Sequence, residues 1–303
     1  MTTIPRPEYP RPLFQRADWW INLNGPWTYT FDFGFSGLDR DYPQSQGFHD
    51  EILVPFCPES KLSGLEHGDF ILAMWYHRQL EIPTNWADRR IILHFGAVDF
   101  WCELYIDGRL VGRHWGGNSP FSFDITGHVQ PGAAHDLVLH VRDDTRHAVQ
   151  TIGKQSQRLQ SNGCRYTRIT GIWQTVWMEA VPEGGLSSVQ IVPDLAKGHF
   201  TIIPRFYGLK PGYRWRIQFR TGDAVVGETV APSRSGIPSV TPVRNPVIWE
   251  PENPHLYDLD LEVLDGDGEV VDRVSSHAGL RSVHIEDSQL YLNEKPIYLR
   301  LVL

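Results

Sequence analysis

From Phe100 to Asp107 the residues alternate between an apolar face and a mixed one. Phe100, Cys102, Leu104 and Ile106 fall on one face of an extended strand; Trp101, Glu103, Tyr105 and Asp107 fall on the other. Asp107-Gly108 tolerates positive φ and predicts a tight hairpin turn. Leu110-Val111-Gly112 returns as a short strand, residues 116–120 are loop by composition, and residues 121–126 alternate again. No helical period intervenes, so the segment reads as a β-meander.

The same grammar extends along the chain. Residues 1–20 read as an extended, proline-rich arm, and Leu23-Asn24-Gly25-Pro26-Trp27 as a turn into a strand over 28–33. Residues 34–50 are polar and loop-like. Short strands are predicted over 52–55, 74–83, 91–95, 137–141 and 171–180, with a polar surface loop over 142–163. This spacing predicts an all-β fold beginning with a jelly-roll (galactose-binding-like) β-sandwich over residues 1–183. Residues 181–185 are the linker candidate, and the pattern then restarts. Tyr213, Trp215, Ile217 and Phe219 alternate with arginines and Gln218, and Tyr257, Leu259, Leu261 and Val263 alternate with Asp258, Asp260 and Glu262. One buried and one solvated face, repeated, predict an immunoglobulin-like β-sandwich over 184–284. Residues 285–303 read as a hairpin closed by an apolar tail, Leu301-Val302-Leu303.

Composition narrows the function classes. Hydrophobic residues make up 41% of the 303, enough for a full core. Net charge is −8 without a cationic stripe, which disfavours nucleic acid. No stretch approaches the ~20 apolar residues of a membrane span, and the start MTTIPRPEYPRP has no apolar signal core. Cys57, Cys102 and Cys164 cannot all pair and form no CxxC, so a reduced, cytoplasmic protein is expected. Thirteen histidines show no ligand spacing; neither metal nor cofactor is expected.

Several segments, weak singly, fall together in order: Leu23–Trp27; Trp75-Tyr76-His77-Arg78; the block 95–126 with Gly116-Gly117 and Pro120-Phe121; Gly171-Ile172-Trp173-Gln174-Thr175-Val176-Trp177; residues 249–257; Gly279-Leu280-Arg281; and residues 292–297. Together they resemble the N-terminal part of the family 2 glycoside hydrolases, the β-galactosidase and β-glucuronidase group. The resemblance implies a jelly roll, an immunoglobulin-like domain and a catalytic (β/α)₈ barrel in succession. Residues 285–303 would be the opening hairpin of that barrel, which the chain lacks. The family hydrolyses β-glycosides with retention, using two Glu carboxyls roughly 5–5.5 Å apart. Both lie in the barrel, so no catalytic residue is expected here and the chain alone is expected to be inactive. Asn293-Glu294 imitates the family's catalytic pair but reads as a turn. Asp143-Asp144 and Asp265 with Asp267 read as solvated carboxylates.

The resemblance implies that jelly-roll loops reach the rim of the active site. Arg165, Tyr166 and Arg168, in the loop before Gly171, and Asp69 are the rim candidates for substrate binding. Well-known members carry an Asp where this chain has Arg165, a departure that points to a different substrate subgroup. Trp115 with Asn118 is a candidate stacking shelf with an amide to read hydroxyls; the competing reading is that Trp115 packs a neighbouring loop. Three functions follow: the non-catalytic sugar-binding and scaffold portion of a β-glycosidase, a stand-alone carbohydrate-binding module, or a structural element. The expected partners are carbohydrate, the barrel and a homo-oligomer.

Overall fold

The computed structural model describes residues 4–16 and 18–301. Val302 and Leu303, part of the expected apolar tail, lie outside them. The fold is all-β; the helices among the described residues are single 3₁₀ turns at Tyr42–Gln44, Lys61–Ser63 and Thr84–Trp86. The chain divides into two compact units. One joins the chain up to Pro10 to Trp19–Ala180; the other joins Arg11–Asp18 to the chain from Val181 onward.

The first unit is a jelly-roll sandwich. Six strands form one sheet in the order Asp50–Val54, Gly25–Phe31, Ala73–Glu81, Ala134–Arg142, Trp101–Ile106 and Arg109–Trp115. Four form the other: Trp20–Asn22, Val176–Pro182, Arg89–Phe95 and Phe121–Asp124. Trp27, Tyr76, Leu93, Leu104, Leu139 and Met178, from both sheets, share one buried core. Each such side chain contributes roughly 1.5–3 kcal/mol by leaving water. Asp107 and Gly108 both have positive φ, 46° and 73°, and close the predicted hairpin.

Alternation alone does not account for Trp101–Ile106. Cys102, Leu104 and Ile106 enter the core, yet Glu103 and Tyr105 on the opposite face are buried too. Residues 32–48 fold over that face, where Trp75, Tyr105 and Val138 form a second cluster with Tyr42 and Phe48. Asp32 anchors the flap: its carboxylate accepts from Ser36 N (2.8 Å), Gly37 N (2.9 Å) and Trp75 Nε1 (3.0 Å). A Cβ on Gly37 would lie 2.3 Å from Trp75 Nε1, so only glycine lets the backbone approach this closely. The loop-like composition of this segment conceals a cover for the sheet.

The second unit is an immunoglobulin-like sandwich. Leu186–Asp194, His199–Phe206 and Ser239–Pro242 form one sheet; Ala224–Pro232, Arg214–Thr221, Tyr257–Leu264 and Val270–Ala278 form the other. Trp215, Ile217, Phe219, Tyr257, Leu259 and Leu261 are buried, and the polar face pairs across strands. Arg216 Nε reaches Glu262 at 2.8 Å and Arg220 Nε reaches Asp260 at 2.9 Å. Burial alone would raise the Glu262 carboxyl, but hydrogen bonds from Arg216 and Arg273 hold it below the usual carboxylate range.

Two sequence expectations change here. Part of the N-terminal arm belongs to this sandwich: Gln15 exchanges both backbone hydrogen bonds with Ser275, and Phe14 and Arg16 are buried. The linker candidate is also shorter than composition suggests. A strand runs through Pro182, the next begins at Leu186, and Gly185 N donates to Pro182 O between them.

Val283–Glu286, Gln289–Leu292 and Lys295–Pro296 form a separate three-stranded sheet. Asn293 and Glu294 have φ of 50° and 62° and make one of its turns. The Asn293 amide is committed, donating to Trp249 O (2.8 Å) and accepting from Ser282 N (3.1 Å).

Candidate functional site

The two expected rim loops meet in the first unit, and Arg168 joins them. Its guanidinium donates to the carbonyls of Gly68 (2.5 Å) and Arg158 (2.6 Å), with longer bonds to Ser156 and Leu159. Its Cζ stacks 4.1 Å from the centre of the Phe70 ring. Arg168 is 3% exposed, so its hydrogen bonds stitch the protein to itself. Asp69, Arg165 and Tyr166 are exposed around it. Asp69 Oδ1 accepts from Phe70 N (2.7 Å), and Tyr166 exchanges backbone bonds with Lys154 and Ser156. The structure therefore brings Asp69, Tyr166 and Arg168 into one loop cluster, with Arg165 following through a 3.4 Å bond to Gln155 O.

Beneath these loops lie three carboxyls. Val98–Asp99 pairs with Gly171–Ile172, which brings Asp99 under the 155–170 loop. Asp99 Oδ2 accepts from Gln155 Nε2 (2.7 Å), while its Oδ1 is buried without a partner. Asp143 accepts from Gln150 Nε2 (2.6 Å) and Thr170 Oγ1 (3.1 Å), and Thr170 N donates to Glu59 Oε2 (3.2 Å). Burial pushes the Asp99 carboxyl up to about 7, with the charge of Asp143 adding to it. Burial, then the charge of Asp144, pushes Asp143 up to about 6, and burial raises Glu59. The reading of Asp143 as a solvated carboxylate is corrected: it is 4% exposed, because the loop after Arg142 folds back over it. The described residues contain no group of three or more His, Cys, Asp or Glu that could hold a metal.

Trp115 and Asn118 are placed differently. Trp115 ends its strand 61% exposed and lines an open cleft of about 440 Å³ with Phe35, Trp101, Arg142, Asp144 and Gln150. Asn118 is exposed on the following loop and does not line that cleft. The loop is fixed at its neighbour: Trp173 Nε1 donates to Gly117 O (2.7 Å), and a Cβ on Gly117 would meet Asp99 Oδ1 at 2.3 Å. Sequence reasoning missed Trp101, Arg142 and Phe35. Alternation places Trp101 on the outer face, but only the fold brings Phe35 from the flap to it.

Two sandwiches in this order, the first carrying aromatic and charged loops, define an all-β, two-sandwich architecture. Sequence comparison supports this independently. Residues 70–182 match the "Glycosyl hydrolases family 2, sugar binding domain", and residues 216–281 match "Glycosyl hydrolases family 2". The chain belongs to glycosyl hydrolase family 2. It is similar to a β-galactosidase of Thermoanaerobacter pseudethanolicus, 24% identical over 92% of this chain and 38% of that protein. A β-glucuronidase of Streptococcus agalactiae is 23% identical over 95% of this chain and 48% of its own length. Among solved structures, the β-glucuronidase of Ruminococcus gnavus in complex with D-glucuronic acid superposes with a TM-score of 0.77 at 21% identity, covering 97% of this chain and 51% of that one. The chain thus spans about half the length of these relatives or less.

Proposed function

We propose that this chain is the non-catalytic, sugar-binding and scaffold portion of a family 2 glycosidase whose full-length form hydrolyses β-glycosides with retention. The observation that carries the reading is the pair of family 2 matches, in succession, in a chain that aligns over 92% of its length with a β-galactosidase but with 38% of that enzyme. In this reading residues 1–183 and 184–284 are the two sandwiches, apart from Arg11–Asp18, which joins the second, and residues 285–303 open the barrel. Exposed Val283, Ile285, Tyr298 and Leu301 on and beyond the terminal hairpin fit an apolar partner such as that barrel. A second copy of the chain is the other partner the reading names. Three free thiols fit a reducing cytoplasm.

Asp69, Arg165 and Tyr166 are the side chains offered to a sugar at the barrel mouth, with Arg168 holding their loops. An arginine in place of the usual Asp at position 165 supplies donors where an acceptor is otherwise presented, which favours a glycone carrying acceptors there. The test is hydrolysis of chromogenic β-galactosides and β-glucuronides. The chain alone is expected to release no chromophore above background, and a protein extended by the barrel is expected to do so. Turnover by the chain alone would sink the reading.

A further inference from the structure

We propose that the open cleft beside Trp115 is a second carbohydrate site, one that takes a neutral β-linked pyranoside and works without any barrel. It is built entirely within the first unit. Trp101 and Trp115 form two walls of a corner, ring centres 6.2 Å apart at 66°. Phe35, 47% exposed, supplies a third apolar surface. Arg142 lies between them, its Cζ 4.9 Å from the Phe35 ring and 5.7 Å from the Trp101 ring.

Packing does not explain the corner. A tryptophan 61% exposed gives up most of the burial that rewards it in a core. Stacking by Phe35 and Trp101 pre-orders the Arg142 side chain, which is exposed and forms no ion pair with a described residue. Across the same cleft Asp144 commits one oxygen, Oδ1, to the backbone N–H groups of Arg146 (3.1 Å) and His147 (3.0 Å) and to the His147 ring. Its Oδ2 has no hydrogen-bond partner among the described residues. The cleft therefore presents flat apolar faces, a bank of free donors and a fixed free acceptor.

That combination matches a pyranose ring. Equatorial hydroxyls leave the two ring faces lined with C–H groups, which stack on aromatic planes. The ring edge carries neighbouring hydroxyls, each both donor and acceptor, which suit a guanidinium and a carboxylate together. The charges select the neutral class. The cleft is lined by one cation, Arg142, and two carboxyls, Asp143 and Asp144, so a uronate would meet an excess of negative charge in a chain of net charge −8.

The experiment is an amide and indole ¹H–¹⁵N titration of this chain with cellobiose and, separately, with methyl β-D-glucuronide. Trp101→Phe and Trp115→Phe identify the two indole signals. Cellobiose is expected to move both saturably, with a Kd on the order of millimolar. Trp115→Ala and Arg142→Gln are each expected to weaken that binding at least tenfold while the remaining spectrum is preserved, and the glucuronide is expected to bind more weakly. Static indole signals, or binding that survives both substitutions, would overturn the site. Tighter binding of the glucuronide would overturn the neutral class. Neither result bears on whether the chain hydrolyses glycosides, which the chromogenic assay reads separately.

Discussion

Arg16 and Asp272, 256 residues apart, form a bidentate pair: Nε to Oδ1 and Nη2 to Oδ2, both at 2.9 Å. The two side chains are 1% and 3% exposed. Nη2 also donates to Leu186 O (2.8 Å), and Asp272 Oδ2 accepts from Leu186 N (2.9 Å). The pair thus ties the N-terminal segment, the first strand of the second sandwich and its last strand into one network.

Breaking a buried ion pair of this kind by removing one member costs about 3–5 kcal/mol. Asp272→Ala is therefore expected to destabilise the second unit by that amount, and the double variant Arg16→Met, Asp272→Leu by much less. Hydrogen exchange of amides in Leu186–Asp194 and Val270–Ala278 would report it. Unchanged protection in Asp272→Ala would mean that the network is idle.

The flap over the six-stranded sheet makes a second case. Gly37→Ala places a methyl group 2.3 Å from Trp75 Nε1 and 2.8 Å from Asp32 Oδ2, displacing the hydrogen bond between them. Overpacking of this kind costs about 1–3 kcal/mol. The expected outcome is a lower denaturation midpoint in urea, with a nearby Gly34→Ala, whose Cβ meets nothing closer than 3.9 Å, leaving it nearly unchanged.

Much of this fold was legible because strand periodicity is a local signal. Trp215, Ile217 and Phe219, and Cys102, Leu104 and Ile106, face their cores as alternation predicts. What stayed hidden depends on distant contacts. Nothing around Arg16 announces a partner at Asp272, and nothing in residues 34–50 announces a cover for Trp75. Likewise Asp143 looks like any turn carboxylate until Thr170 and Gln150 close on it. At the candidate site the sequence singles out Trp115, whereas its companions Phe35 and Arg142 are brought to it only by folding.

Arg168 permits a test of the rim loops. Replacing it by Met keeps bulk against Phe70 but leaves the carbonyls of Gly68, Arg158 and Leu159 without their donor. Hydrogen bonds from a charged donor are worth about 1.5–3 kcal/mol each when lost. Local opening of residues 154–168 is expected to increase at least tenfold, about 1.4 kcal/mol, read as faster limited proteolysis within that loop. Cleavage at the native rate would show that the loops hold without Arg168.

The buried carboxyls make stability depend on pH in a direction opposite to ordinary acid denaturation. Unfolded Asp releases its proton near about 3.9, whereas Asp99 in the fold holds it up to about 7. Between those values the folded state binds more protons than the unfolded state, so this residue's contribution is full below about 4 and declines as pH rises through 7. Asp99→Asn removes the titration and keeps an acceptor for Gln155. Its stability is expected to gain on the wild type steadily from pH 4.5 to 8, by an amount on the order of 1–3 kcal/mol at the upper end, read as a widening difference in melting temperature. Asp143, up at about 6, leaves a smaller slope of the same sign in the variant. His140 acts the other way: burial keeps its ring pKa low, so its contribution falls as pH drops below about 6.5. It is present in both proteins and cancels in the difference. Melting curves that run parallel across the range would show that Asp99 is ionised in the fold at neutral pH, and that its unpartnered oxygen has found a donor.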